Sequence, residues 1–259
     1  MPYTHIGYET ADRIAWLTLN RPEKRNALNE TMIGELTGAL QAAADDPAVK
    51  VVVLKATGKV FSAGADLEYL ERLGQNSYEE NLADSRHLMG LFLQIYQHEK
   101  LIIAQVEGHA IAGGCGLASV CDLCYAVPEA KFGYTEAQIG FVPALVSVFL
   151  VPKIGEGRAR ELLLTGRLVD AGEASAIGLI TAVAEKASIR DVVREKALSL
   201  CTLVSAASTT QTKRLLCDLH GLGMAEGLEL AAERNARARA TEDCREGIRA
   251  FLEKRKKTW

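Results

Sequence analysis

The chain has 259 residues, enough for one large domain or a main domain with an appendage. Hydrophobic residues make up 48% and charged residues 24%, the balance of a globular protein rather than a disordered or fibrous one. A net charge of −3 gives no basic footprint for nucleic acid, and no apolar stretch approaches the about 20 residues of a membrane-spanning helix, so neither is an expected partner.

The opening, MPYTHIGYETADRIAWL, has no basic region followed by a long apolar run, which makes a cytoplasmic location the expectation. Residues 6–10 and 13–20 predict two strands joined at Ala11-Asp12. The loop RPEKRNALN carries Arg21, Lys24 and Arg25 and ends at Asn29, a predicted N-cap for a helix through Ala44. In that helix Met32, Ile33, Leu36 and Leu40 recur at helical spacing and face the core. Residues 49–55, VKVVVLK, read as a strand buried on both faces. FSAGADL, residues 61–67, then gives a small-residue turn at Gly64 with a helix starting around Asp66-Leu67. A long amphipathic helix over 78–97 presents Leu88, Leu91, Phe92 and Ile95 on one face, and residues 101–106 form the next buried strand.

Residues 106–126, VEGHAIAGGCGLASVCDLCYA, repeat the arrangement of strand, glycine-rich turn and helix start. Gly113 and Gly114 lack a Cβ, so the backbone can approach a ligand closely there. A short helix is expected from Cys115 to Val120; a helix start leaves N–H groups without intrahelical partners and favours negative charge. The six cysteines, Cys115, Cys121, Cys124, Cys201, Cys217 and Cys244, are expected as reduced thiols. Cys121 and Cys124 form a lone C-x-x-C inside an apolar strand, with no second pair or nearby His, so they read as core thiols and no metal is expected. A short strand at Lys131-Phe132 leads into GYTEAQIGFVPALVSVFL, which places Glu136 between Gly133 and Gly140. A helix over 155–165 and another within GRLVDAGEASAIGLITAV follow, and past Ile189 the pattern is almost wholly helical. The expected organisation is an α/β core over residues 1–195 and a helical region over 196–259.

Two turns that supply backbone N–H groups, with one carboxylate at the rim, point to an oxyanion hole beside a proton-transfer group. The segments RPEKRNALN, FSAGADL, GHAIAGGCGLASVCDL, KFGYTEAQIGFVP, LLLTGRLVDAGEASAIGLI and EGIRAFLEKR together resemble the crotonase (enoyl-CoA hydratase/isomerase) family, in order and across nearly the whole chain. The resemblance implies the crotonase fold, a spiral of repeated ββα units with a C-terminal helical trimerisation region. It also implies an unsaturated acyl-CoA thioester as substrate, no cofactor beyond the CoA it carries, and a homotrimer or a dimer of trimers.

By position, it implies the N–H groups of Ala63 and Gly113 as oxyanion donors and Glu136 as general acid/base. CoA contacts are implied at Lys24, Arg25, Ala27, Ala63, Gly64, Ala65, Asp66 and Gly113, with Phe251 and Lys254 reaching a neighbouring subunit's CoA. Many family hydratases carry a further glutamate where this chain has Gly116. Glycine has no proton to give or take through a side chain, so Gly116 leaves two reactions open. Hydration is favoured by the overall likeness, including to methylglutaconyl-type members; Δ3,Δ2-isomerisation or decarboxylation is favoured by the single carboxylate. A non-catalytic acyl-CoA-binding protein is the alternative of another class. A hydrolase built on Ser62, Ser119 or Cys115 lacks an evident His/Asp partner set. Neither G-x-G-x-x-G nor G-x-x-x-x-G-K-[ST] occurs, which argues against a nucleotide enzyme.

Overall fold

The computed structural model describes residues 3–257 and 259. β1 (Ile6–Ala11) and β2 (Ile14–Leu19) form an antiparallel hairpin whose tight turn places Asp12 and Arg13 at positive φ. α1 (Glu30–Asp45) starts where Asn29 accepts a hydrogen bond from the Met32 N–H, and it buries Met32, Ile33, Leu36, Ala39, Leu40 and Ala43. Its other face carries Gly34 and Gly38, with open space where a Cβ would sit. Gly38→Ala is therefore expected to raise stability by about 0.5–1 kcal/mol, read as a higher melting temperature with unchanged turnover.

The next segments alternate between two sheets. β3 (Val51–Ala56), β5 (Leu101–Val106), β7 (Leu123–Ala126) and the later β10 (Ala182–Val183) enter a six-stranded sheet in the order β1-β2-β3-β5-β7-β10. β4 (Val60–Ser62), β6 (His109–Ile111), β8 (Lys131–Gly133) and the later β9 (Val169–Asp170) enter a four-stranded sheet in the order β4-β6-β8-β9. Each pass gives one strand to each sheet and then a helix: α2 (Leu67–Leu73) and α3 (Tyr78–Gln97) after β4, and α4 (Gly113–Val120) after β6. After β8 comes a 3-10 helix, Thr135–Ile139. This is the expected spiral of ββα units. α4 begins at Gly113 rather than Cys115, because both glycines lie in its first turn. The central strands of the large sheet are Val/Ile/Leu-rich and buried, as parallel strands covered on both faces require.

α5 (Ala144–Ile154) and α6 (Glu156–Thr165) follow, then β9 (Val169–Asp170), α7 (Ala171–Ala176) and β10 (Ala182–Val183). α5 has no counterpart in the sequence reading. Pro143 precedes its first residue, and Pro152 lies inside it.

α8 (Ile189–Leu203) buries Ile189, Val193, Ala197 and Cys201, one stripe at i+4 spacing, against the large sheet. The expected division at 195/196 falls inside this helix, whose buried stripe runs through both halves. We place the start of the helical appendage at α9 (Ala206–Asp218), followed by α10 (Met224–Arg239) and α11 (Glu242–Leu252). Lys213 of α9 is 7% exposed and ties the appendage to the core: its Nζ donates to Asp122 Oδ2 at 2.7 Å and to the Ile95 carbonyl at 3.0 Å. All six cysteines are free thiols, and Cys115, Cys121, Cys124 and Cys201 are buried. Burial pushes the Cys121 thiol up to about 12, far from a thiolate at neutral pH. Among the described residues, no helix is long and apolar enough to cross a membrane.

Candidate active site

β4, β6 and β8 are consecutive parallel neighbours, so their C-terminal ends lie side by side. Strands sit roughly 4.8 Å apart, which brings the three turns that leave them within about 10 Å. Ala63–Ala65 follows β4, Ala112-Gly113 follows β6, and Glu136 follows β8. The Ala112 N–H donates to the Gly133 carbonyl at 2.7 Å and stitches the second turn to the third. Ala112 holds φ 53°, ψ −126°, a conformation costly for a residue with a Cβ, immediately before α4. Crevices beyond the carboxyl ends of parallel strands are common sites for ligands.

The structure corrects one of the two expected N–H donors. The Ala63 N–H donates to the Arg25 carbonyl at 3.0 Å and is not available to a substrate. Two residues on, Leu28 bridges Ala65 in parallel fashion: the Leu28 N–H binds the Gly64 carbonyl at 2.7 Å and the Asp66 N–H binds the Leu28 carbonyl at 2.9 Å. That pattern uses the peptide groups on either side of Ala65 and turns the Ala65 N–H the opposite way, where it has no partner among the described residues. It lies beside Gly113, whose Cβ position is 4.0 Å from the Ala65 nitrogen. Gly113 is the first residue of α4, so its N–H is also free of an intrahelical acceptor. Gly64, at φ +87°, separates the two directions of its neighbours. A Cβ there would meet Ala112 Cβ at 2.7 Å and the Gly113 nitrogen at 3.1 Å. The free pair is thus Ala65 and Gly113.

Glu136 sits in the 3-10 helix and is 8% exposed. Its Oε2 is buried with no hydrogen-bond partner among the described residues. Burial raises its pKa above the usual carboxylate value, which readies the group to take up a proton. Gly116, one turn into α4, is buried; a Cβ there would meet Val146 Cγ1 at 2.3 Å and Phe92 Cζ at 3.4 Å. The space of a side chain at 116 is therefore filled by α5 and α3.

A family model described as enoyl-CoA hydratase/isomerase matches residues 9–259. The chain belongs to the enoyl-CoA hydratase/isomerase family. It is 48% identical to a Thermus thermophilus protein provisionally named enoyl-CoA hydratase, over 93% of this chain and 95% of that protein. It is 34% identical to the crotonyl-CoA hydratase of Syntrophomonas wolfei, over 99% of this chain and 98% of that protein. The crystal structure of an enoyl-CoA hydratase from Mycobacterium smegmatis superposes with a TM-score of 0.91 at 30% identity, covering 99% of both chains. The protein is thus a crotonase-type enzyme of mixed α/β architecture.

Other candidate residues occupy mixed positions in this enoyl-CoA hydratase/isomerase chain. Asp66 is committed to structure: it accepts from Arg21 Nη1 at 2.7 Å and caps α2 through the Glu68 and Tyr69 N–H groups. Arg21 and α2 hold its carboxyl below the usual range, against the opposing effect of burial. Lys24 pairs with Glu68 at 2.5 Å, while Arg25 is exposed at φ 52°. Ala27 is buried, and its N–H binds the Lys24 carbonyl at 3.0 Å. Phe251, 85% exposed, and Lys254 lie in the C-terminal helical region, on or just past α11, rather than on the small sheet.

Glu107 accepts from Gln105 Nε2 at 2.8 Å, and the exposed His109 receives the Lys131 N–H, so neither replaces a second carboxylate. Ser62 Oγ donates to the Asn26 carbonyl and Ser119 Oγ to the Gly116 carbonyl, while burial pushes the Cys115 thiol up to about 12; none is an activated nucleophile. Sequence reasoning missed Val146 and Asn26. Asn26, fully buried, binds the Thr57 and Val60 carbonyls and so fixes the loop that runs beside Ala63–Asp66.

Proposed function

We propose that this enzyme adds water across the conjugated double bond of an enoyl-CoA thioester. The observation that carries this reading is the buried Oε2 of Glu136 just past β8, together with the N–H groups of Ala65 and Gly113 at the neighbouring strand ends, all three without a partner among the described residues. The two N–H groups bind the thioester oxygen and hold the charge that develops there as an enolate. Glu136, as carboxylate, takes a proton from water while the water oxygen bonds to C3, and the electron pair of the double bond moves into the enolate. The new carboxylic acid then returns that proton to C2 and regenerates the carboxylate, so both parts of the water arrive on one face. The reaction needs no cofactor beyond the CoA already esterified. The names of the Thermus and Syntrophomonas relatives support hydration and an unsaturated acyl-CoA substrate.

One observation favours a second reading. Gly116 gives the site a single proton-carrying side chain, which suffices to move a proton from C2 to C4 in Δ3,Δ2-isomerisation. Ultraviolet absorbance of the conjugated thioester decides between them. Its loss from crotonyl-CoA supports hydration, its appearance from a 3-enoyl-CoA supports isomerisation, and binding without either change supports a non-catalytic role.

Lys24 and Arg25 are proposed to meet the phosphate-bearing end of CoA. Lys24→Ala/Arg25→Ala is expected to raise KM several-fold with kcat unchanged, the difference shrinking at high salt, as exposed charges dictate. Assembly as a trimer or dimer of trimers is part of the proposal; Leu216, Met224, Leu228, Ile248, Phe251 and Leu252 leave a large apolar surface on α9–α11. Such assembly would let Phe251 and Lys254 approach the CoA of a neighbouring copy.

A further inference from the structure

Position 116 is not simply empty of a carboxylate. Gly116 is three residues past Gly113 along α4, about 4.5 Å along the axis from the proposed oxyanion donor, on the same helix face. A Cβ there would fall 2.3 Å from Val146 Cγ1 and 3.4 Å from Val146 Cβ. Valine is β-branched and stiff at χ1, so this methyl cannot swing aside as the end of a long side chain would. Val146 is 5% exposed in the first turn of α5, ten residues after Glu136. Phe92 closes the same space from α3, and its ring meets Phe149 of α5 edge-on at 6.2 Å. Lys153, at the other end of α5, donates to the Ser119 and Cys121 carbonyls at the end of α4. α5 is thereby fastened against α4 at both ends.

We propose that Val146 is a specificity-determining residue: it fills the space that a side chain at 116, one turn along α4 from the Gly113 donor, would need, and Gly116 and Val146 form a pair that restricts the site to one proton-carrying group. The proposal rests on the hydratase reading for its kinetic part, whereas its steric part stands independently of turnover. A carboxylate introduced at 116 is excluded while Val146 remains and is admitted once the methyls at 146 are removed. The reaction then gains a second group to hold and activate water, an effect commonly of about 10²–10⁴ for one well-placed acid or base.

The test is a cycle of four proteins: wild type, Gly116→Glu, Val146→Ala and Gly116→Glu/Val146→Ala, each measured for melting temperature and for crotonyl-CoA hydration across pH. Gly116→Glu is expected to melt well below wild type, and the double variant is expected to recover part of that loss. The double variant is also expected to turn over at least 10-fold faster than Val146→Ala, with a further ionisation in its pH profile. Gly116→Glu melting like wild type would overturn the proposal, as would a folded double variant no faster than Val146→Ala. If wild type hydrates no enoyl-CoA, the hydratase reading fails, and the two melting shifts still decide the steric part. Additive shifts overturn it, and recovery in the double variant upholds it. Should Gly116→Glu fail to fold, Gly116→Ala in the same cycle reads the same coupling, since the clash begins at the Cβ.

Discussion

Glu136→Gln is expected to lower kcat for enoyl-CoA hydration by about 10²–10⁴, with KM little changed. The amide keeps the size and the neutral hydrogen-bonding capacity of the protonated acid but cannot shuttle the proton between water and C2. The same substitution is expected to stabilise the protein near neutral pH. Burial raises the folded-state pKa of Glu136 above its ordinary value of 4.5, so the folded chain holds that proton more tightly than the unfolded chain does. Stability from this group is complete below pH 4.5 and falls as pH rises through the folded pKa. Above that window the wild type holds a largely buried carboxylate whose Oε2 has no partner among the described residues, whereas the neutral amide of the variant carries no charge to desolvate. Melting temperatures of the two proteins should therefore converge in acid and separate towards neutrality, with the variant higher. A variant that keeps wild-type turnover would remove Glu136 from the chemistry; one that is less stable at neutral pH would mean that its carboxylate has a partner in solution.

The strand–turn–helix units were legible because their signals are local: apolar runs for strands buried on both faces, small-residue turns after them, and Asn29 ahead of a periodic helix. The position of Glu136 was legible for a similar reason, as a carboxylate between two glycines just past a strand. Which N–H of the first turn is free was not. Ala63 and Ala65 are both alanines in one small-residue turn, and their composition says nothing about which N–H is free. That is decided by residues more than thirty positions away, through the Arg25 carbonyl that takes the Ala63 N–H and the Leu28 bridge that turns the Ala65 N–H outward. Val146 was hidden for the same reason. It is an ordinary apolar residue until α5 packs it into the notch that Gly116 leaves in α4. The boundary at 195/196 followed a change in pattern from mixed to helical, yet α8 buries its stripe on the large sheet and belongs with the core.

Gly64→Ala is expected to cost about 10²–10³ in kcat/KM together with about 1–3 kcal/mol of stability. Gly64 lies between the two free donors, with Ala65 next in the chain and Gly113 across the gap. A Cβ at 64 would have to occupy φ +87°, in the left-handed region that alanine avoids, and would lie 2.9 Å from the Ile111 carbonyl oxygen and 3.1 Å from the Gly113 nitrogen. Those atoms are backbone, so relief requires the β4 turn to move away from the start of α4, and that movement separates the two N–H groups. An oxyanion is held by donors fixed about 2.7–3.1 Å from the place where its charge develops, so a displacement of a few tenths of an ångström weakens both bonds at once. The loss should fall on kcat more than on KM, because the CoA contacts proposed for the Lys24 and Arg25 side chains lie outside the displaced turn. Gly38→Ala, which adds the same methyl on an open face of α1, supplies the control that leaves turnover unchanged. If Gly64→Ala lowered the melting temperature yet kept wild-type kcat, the turn would be a packing element only, and the negative charge of the reaction would have to be held elsewhere than between Ala65 and Gly113.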